Sequence, residues 1–118
     1  MFAKLLYVQV RENHFQIRNF TDSITIQRKA STPFSHPRML VGNFTVAQEC
    51  LKAALSEARG SGFALSTQVL VHPLEKVEGG LTQVEERLFQ ELALGAGASK
   101  AAVWVGAPLG DAEVALKL

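Results

Sequence analysis

Residues 5–10 form a mostly apolar run of β-branched and aromatic side chains, and residues 14–18 and 24–27 alternate between apolar and polar with the two-residue period of a β-strand. These patterns predict strands at residues 5–10, 14–18 and 24–27, separated by polar residues that indicate turns. Because the connections between these strands are only a few residues long, we expect the three of them to form an antiparallel meander.

Residues 28–42 are rich in proline, serine and basic side chains. Pro33 and Pro37 disfavour a helix, so we predict a loop with a short extended piece at residues 39–41. The basic side chains of this loop either contact an acidic partner or a membrane surface, or are simply solvated. A solvated loop is the simpler interpretation.

The first predicted helix spans residues 45–59. Thr45 and Gln48 have the spacing of a capping box, in which each side chain bonds an amide that the first turn leaves open. Gly60 and Gly62 are expected to end the helix. Apolar residues recur at steps of three and four and form one stripe that we expect to be buried: Val46, Cys50, Leu51, Ala54, Leu55 and Ala58.

A second helix is predicted to begin at Thr82, with Glu85 completing another capping box. Gly95 and Gly97 are expected to close it. Its apolar stripe recurs at four-residue steps and consists of Val84, Leu88 and Leu92.

Two short apolar runs flank the second helix and are predicted to be strands. The first covers residues 67–71 and is ended by His72 and Pro73. Since helices precede and follow it, it suits a strand that is buried on both faces. The last run covers residues 101–105, and Gly106 follows it.

The predicted order of elements is βββ-α-β-α-β, which indicates an α/β fold with helices packed on a mixed sheet. Two crossover connections would add parallel strands to the meander. The segment 74–81 is expected to be a mobile loop. No repeat or linker divides the chain, so residues 1–118 are expected to form a single domain.

Composition narrows the classes of function. The 12 basic and 11 acidic residues are scattered and leave a net charge of +1, so we expect no nucleic-acid partner. The single cysteine, Cys50, excludes an internal disulfide and fits a reducing compartment. No apolar stretch approaches the roughly 20 residues of a membrane helix, and the N-terminus lacks signal-peptide features. We therefore expect a cytoplasmic protein without integral membrane association.

Several residues carry candidate chemistry, but each has a simpler structural interpretation. Cys50 lies within the apolar stripe of the first helix, where a thiol is usually buried and inert. His14, His36 and His72 lie on three separate segments, so we predict no metal site. Residues 95–100 read Gly-Ala-Gly-Ala-Ser-Lys, but they follow a helix instead of preceding one, and we predict a helix end, not a phosphate loop.

The element order is shared by ribonuclease-H-like and actin-like domains. Residues 81–98 begin Leu-Thr-Gln-Val-Glu-Glu-Arg and end Gly-Ala-Gly-Ala. They are similar to the segment of MreB rod-shape proteins that reads Thr-Glu-Val-Glu-Arg-Arg, continues as an alanine-rich helix and ends Ala-Gly-Ala. Residues 103–108 fall where that family has an apolar strand ending in Glu-Glu-Pro, and residues 69–73 fit its strand ending in proline. The resemblance covers residues 66–109 and implies the first subdomain of an actin-like protein, with the other three missing.

The residues that an actin-like ATPase needs are absent from the matching positions. That family has Asp-Leu-Gly-Thr after its first strand, where residues 9–12 of this chain read Gln-Val-Arg-Glu. The metal-facing carboxylate and the glycine that admits phosphate are therefore missing. Residues 106–108 read Gly-Ala-Pro in place of Glu-Glu-Pro, and the second phosphate loop belongs to the missing half. The resemblance thus implies no nucleotide hydrolysis and no cofactor.

A ribonuclease-H-like nuclease is disfavoured for a similar reason. Two-metal chemistry needs several clustered carboxylates, and no predicted strand contains Asp or Glu within its run.

These observations leave two hypotheses. The first is a non-catalytic interaction or scaffold module, resembling a truncated and degenerate MreB-like protein, whose partner is another copy of itself or another cytoplasmic protein. An isolated subdomain leaves apolar surface and an edge strand uncovered, which favours a homodimer or larger homo-oligomer. The second is a small-ligand-binding or enzymatic domain with its site at the C-terminal edge of the sheet, where Gln9, Arg11, His72 and Gly106 are expected to meet.

Overall fold

A computed structural model describes residues 3–60 and 66–118 of the chain. The strands are β1 (Ala3–Arg11), β2 (His14–Asn19), β3 (Ile24–Lys29), β4 (Ser66–Pro73) and β5 (Lys100–Val103). The helices are α1 (Phe44–Arg59), α2 (Gln83–Gly95) and α3 (Asp111–Lys117). The predicted α/β class is confirmed, and each predicted strand and helix is present.

The five strands form one mixed sheet in the order β3-β2-β1-β4-β5. The pairs β1–β2 and β2–β3 are antiparallel, as predicted for the meander. Strand β4 runs parallel to β1, and β5 runs parallel to β4. Since β1 and β4 are central, their apolar runs are covered on both faces of the sheet.

Helices α1 and α2 pack together on one face of the sheet and enclose the main core. Side chains of β1 and β4 that point to this face are fully buried, among them Val8 and Val71. From α1 they meet Leu51 and Leu55, which lie one turn apart on its apolar stripe. Burying a side chain of this size stabilises the fold by about 1.5–3 kcal/mol.

The opposite face carries a smaller cluster built around Tyr7, Leu70 and Val114. Val114 belongs to α3, a helix that the sequence analysis did not predict, so the observed order is βββαβαβα. Helix α3 has only seven residues, and a single one of them is buried, so it has almost no apolar periodicity to detect. On this face the side chains of β3 remain exposed to solvent.

The predicted capping box of the first helix is wrong. Helix α1 begins at Phe44, and its N-cap is Asn43, whose side-chain oxygen accepts a hydrogen bond from the amide of Val46. Asparagine and threonine are both good N-caps, so sequence spacing alone does not separate them. The buried stripe is mostly as expected, although Ala47 replaces Val46 and Cys50 is only half-buried.

The capping box of α2 is confirmed, because the side chains of Thr82 and Glu85 each bond the other residue's amide. Its predicted stripe is wrong at one end. Val84 is 77% exposed, whereas Phe89, Leu92 and Ala93 are buried. The helix therefore turns the face that carries Phe89, Leu92 and Ala93 to the core and leaves Val84 in solvent.

Smaller differences concern the ends of elements. Strand β3 continues to Lys29, and β5 ends at Val103, two residues before the predicted end. The extended piece predicted at residues 39–41 is reduced to one bridge between His36 and Met39. Gly62, part of the predicted stop of the first helix, lies outside the described residues. Within the described ranges, no helix is long and apolar enough to cross a membrane.

Candidate functional site

Parallel pairing of β1 with β4 brings their C-terminal ends to the same edge of the sheet. In the register of this pair, Gln9 lies directly beside His72. Gly106 follows β5 at the same edge, and its carbonyl oxygen lies 2.9 Å from Nε2 of His72. The structure therefore brings together three of the four residues that the sequence placed at this edge.

A hydrogen-bonded chain runs from Tyr7 through His72 to Gly106. The carbonyl of Gly106 can only accept, so Nε2 of His72 carries the ring proton and donates it. Nδ1 of His72 is then a bare acceptor, and the Tyr7 hydroxyl donates to it across 2.6 Å. The two rings also stack, with centroids 5.8 Å apart.

The Tyr7 oxygen accepts two further hydrogen bonds. One comes from the backbone amide of Leu109 at 3.2 Å, and the other from the side-chain amide of Gln9 at 3.4 Å. Gln9 in turn accepts from Gln16 on β2 at 3.3 Å. The network therefore ties the segment between β5 and α3 to the middle of the sheet.

His72 is a buried, neutral member of this network. Its side chain is 1% exposed, and burial lowers its pKa below the ordinary value of 6.5, although the hydrogen bond to Gly106 opposes that shift. Both ring nitrogens are engaged by protein groups. The geometry suits a structural histidine that fixes the C-terminal segment, since a metal or a substrate proton would need a free nitrogen.

Arg11 does not join the network. It lies at the end of β1, two residues beyond Gln9 on the same side of the strand, and its side chain is exposed. Its partner in the register is His14 on β2. Arg11 thus belongs to the open surface of the sheet and not to the cluster around His72.

Position 106 requires glycine because the indole ring of Trp104 lies close to its backbone. Gly106 has a φ of +150°, and a Cβ atom there would lie 2.7 Å from the indole ring of Trp104. The Trp104 indole nitrogen donates to the carbonyl of Ala107 at 3.0 Å, which closes a tight loop. Any side chain at position 106 would disturb both this loop and the carbonyl that His72 binds.

The surroundings of His14, His36 and Cys50 suit a structural role. His14 bonds Gln27, and His36 bonds the amide of Arg38 in its own loop. Among residues 3–60 and 66–118, no group of three or more His, Cys, Asp or Glu side chains could hold a metal ion. Cys50 lines a surface groove of about 330 Å³, and partial burial raises the pKa of its thiol. Such a thiol is a poor nucleophile.

A buried polar cluster that the sequence analysis missed closes the C-terminus of α1. Lys4 is 2% exposed, and its ammonium group donates to the carbonyl of Arg59 at 2.7 Å and pairs with Asp22 at 2.8 Å. Asn19 donates to the carbonyl of Ala58 at 2.9 Å. A cation at this end of a helix complements its dipole, so the cluster stabilises the fold.

Exposed apolar side chains lie together on the outer side of the helices. Phe44 at the start of α1 and Val84 and Leu88 on α2 line an open groove of about 340 Å³, together with Arg87 and Glu91. We call these five residues the α2 patch. The helical periodicity of the sequence places Val84 in the core and therefore does not predict this patch.

Comparison with known proteins shows which family the chain belongs to. No protein-family model matches the chain. The uncharacterized protein YjaA of Escherichia coli strain K12 is 33% identical over 98 residues, which cover 78% of this chain and 76% of the relative. Identity at this level over most of both chains indicates common descent and a shared fold. The chain belongs to the YjaA family.

Proposed function

We propose that this protein is a non-catalytic interaction module that forms a homodimer through the α2 patch. The observation that carries the proposal is the exposed apolar surface of α2 and the adjoining start of α1. Val84 is 77% exposed and Phe44 is 36% exposed, and they line one groove with Leu88. Contiguous apolar surface on a small domain commonly marks a protein-binding site.

The charges beside this apolar surface favour a second copy as the occupant. Arg87 and Glu91 are each two residues from the midpoint of α2 (Gln83–Gly95). If two α2 helices cross antiparallel about a two-fold axis at that midpoint, each Arg87 faces the partner's Glu91. The same axis brings Val84 opposite the partner's Leu94, which is 42% exposed. The patch is therefore complementary to itself in both charge and apolarity.

The hydrogen bonds at the C-terminal edge of the sheet favour an interaction module over the alternative, a ligand-binding or enzymatic site at that edge. Both ring nitrogens of His72 and the carbonyl of Gly106 bond to protein groups. Gln9 uses its amide on Tyr7 and its carbonyl on Gln16. A ligand at this edge would have to break these bonds, which costs about 1–3 kcal/mol for each buried group left without a partner.

For the fold we propose the finer assignment to the ribonuclease-H-like and actin-like class. The order of the first seven elements and the parallel placement of β4 and β5 beside β1 support it. The MreB-like part of the proposal, a scaffold related to rod-shape proteins, rests on the sequence resemblance of residues 66–109.

The test is the molar mass in solution, measured by multi-angle light scattering across a concentration series. We expect the wild-type protein to approach the mass of a dimer as its concentration rises, and Val84→Glu to remain a monomer of 12.8 kDa. Leu116→Glu is the matched control, because Leu116 is 84% exposed on α3 and lies outside the patch. A wild-type protein that stays monomeric, or a control that dissociates equally, would refute the proposal.

A further inference from the structure

Three basic side chains form a row on the face of the sheet opposite to α1 and α2. The strand register sets Arg11 directly beside His14, and His14 directly beside Lys29. His14 bonds Gln27, which lies two residues before Lys29 on the same side of β3. These three residues, the basic row, lie on the face that α3 covers only in part, and Arg11 and Lys29 are exposed.

No carboxylate neutralises this row within the described part of the chain. Glu12 pairs with Lys76 at 2.9 Å, and Glu57 pairs with Arg28 at 3.1 Å on the opposite face of the sheet. Asp111 pairs with Arg18 at 3.5 Å, and Arg18 lies four residues from His14 along β2. Among the described residues, Arg11 and Lys29 therefore keep two positive charges on this surface without a carboxylate partner, and such charges favour the binding of an anion.

A second row of amide side chains lies beside the basic row. Gln9, Gln16 and Gln27 occupy consecutive positions across β1, β2 and β3. Gln9 bonds Tyr7 and Gln16, and the carbonyl of Gln27 bonds His14. The carbonyl oxygen of Gln16 and the amide nitrogen of Gln27 can meet the polar groups of a polypeptide without breaking these bonds. The surface thus combines cations with hydrogen-bonding groups and has no apolar side chain in either row.

The composition of the surface favours an acidic polypeptide over a nucleic acid. Single-stranded nucleic acids are bound by aromatic side chains on which the bases stack, and neither row contains one. Elsewhere on this face Tyr7 is buried. Arg18 lies 6.0 Å from the ring of Phe20, and Lys117 lies 4.2 Å from that of Trp104, so cations of the chain already contact these two rings. The net charge of +1 is also low for a nucleic-acid-binding domain.

We infer that the basic row binds an acidic, extended segment of a partner protein. Arg11 and Lys29 are separated by two strand spacings, or about 10 Å. Alternate side chains of an extended segment lie about 7 Å apart, and the flexible stems of arginine and lysine can span the difference. The segment recognised would therefore carry Asp or Glu at every second position. This surface lies on the opposite face of the sheet from the α2 patch and does not depend on dimerisation.

The inference can be tested by fluorescence anisotropy with a short labelled peptide that has glutamate at every second position. We expect the wild-type protein to bind it, and the peptide with glutamine at the same positions to bind at least about tenfold more weakly. The double variant Arg11→Gln/Lys29→Gln should lose affinity for the glutamate peptide by a similar factor. The matched control is Lys52→Gln/Lys100→Gln, which changes the net charge equally at exposed positions outside the row.

Three results would overturn the inference. One is equal binding of the glutamate and glutamine peptides. Another is an equal loss of affinity in the control variant, which would make the effect one of net charge. The third is tighter binding of a labelled oligothymidylate than of the acidic peptide, which would assign the row to nucleic acid. Far-ultraviolet circular dichroism of each variant verifies that it is folded.

Discussion

The hydroxyl of Tyr7 donates a hydrogen bond to Nδ1 of His72 across 2.6 Å, although the two residues are 65 positions apart in the sequence. The bond joins β1 to β4 in the centre of the sheet. Through the other ring nitrogen of His72 and the amide of Leu109, it also fixes the segment that leads into α3. One phenol group therefore links β1, β4 and the segment that leads into α3.

Replacing Tyr7 by phenylalanine removes the hydroxyl but keeps the aromatic ring, so it should destabilise the protein without leaving a large cavity in the core. We expect Tyr7→Phe to lower the free energy of unfolding by about 1–3 kcal/mol, because Nδ1 of His72 and the amide of Leu109 lose their partner. Urea denaturation provides the measurement. The control is Gln27→Leu, which removes an exposed hydrogen bond on the same face and should change stability by less than about 0.5 kcal/mol. A Tyr7→Phe variant as stable as the wild type would contradict the network's role.

The buried state of His72 predicts a pH dependence of stability. Because its pKa is lowered in the folded protein, the unfolded chain binds the proton more readily. The stability contributed by neutral His72 is therefore complete above pH 6.5 and is lost as the pH falls from 6.5 towards the lower pKa of the folded state. Asp22, whose pKa is lowered from 3.8 by Lys4 and Asn19, adds a loss only in more acidic solution.

Denaturant melts between pH 7 and pH 5 should show this decline in the wild type, and His72→Gln should flatten it. A glutamine side chain keeps polar groups at the site but does not titrate. A decline of equal steepness in the variant would assign the effect to another group.

The contact between Gly106 and Trp104 predicts that a side chain at position 106 destabilises the fold, and Gly79 provides a control. Gly106→Ala should destabilise the fold by about 1–3 kcal/mol, because the new Cβ would overlap the indole ring at a positive φ. Gly79 also has a positive φ, of +79°, but nothing lies within 4 Å of its Cβ position. Gly79→Ala should therefore cost less, and it should leave the emission of the protein's single tryptophan unchanged. Equal costs and unchanged emission in both variants would contradict the close packing of Trp104.

The order of the larger elements could be predicted because their periodicity is strong. The apolar run of β1, the alternation in β2 and β3 and the capping box at Thr82 are local signals, and the fold keeps them. Helix α3 could not be predicted in the same way, because its single buried residue leaves no stripe. The periodicity places Val84 in the core because several helical stripes fit the same sequence; in the fold Phe89 is buried and Val84 is not.

The candidate site was only partly predictable. Placing Gln9, His72 and Gly106 at one edge requires only that β1, β4 and β5 run parallel. The role of Tyr7 depends on which strands are neighbours and on which side chains of those strands reach each other, and no local pattern encodes this. A tyrosine within an apolar strand does give a general signal, since a buried hydroxyl needs a partner.

The central claim, dimerisation through α2, is tested most directly by reversing the charges of Arg87 and Glu91 one at a time and then mixing the variants. Arg87→Glu alone and Glu91→Arg alone should each be monomeric by light scattering, because each brings like charges together across the two-fold axis. An equimolar mixture of the two variants should form heterodimers, in which every pair is again of opposite charge. Monomers in the mixture, or unimpaired dimers of either single variant, would contradict the account.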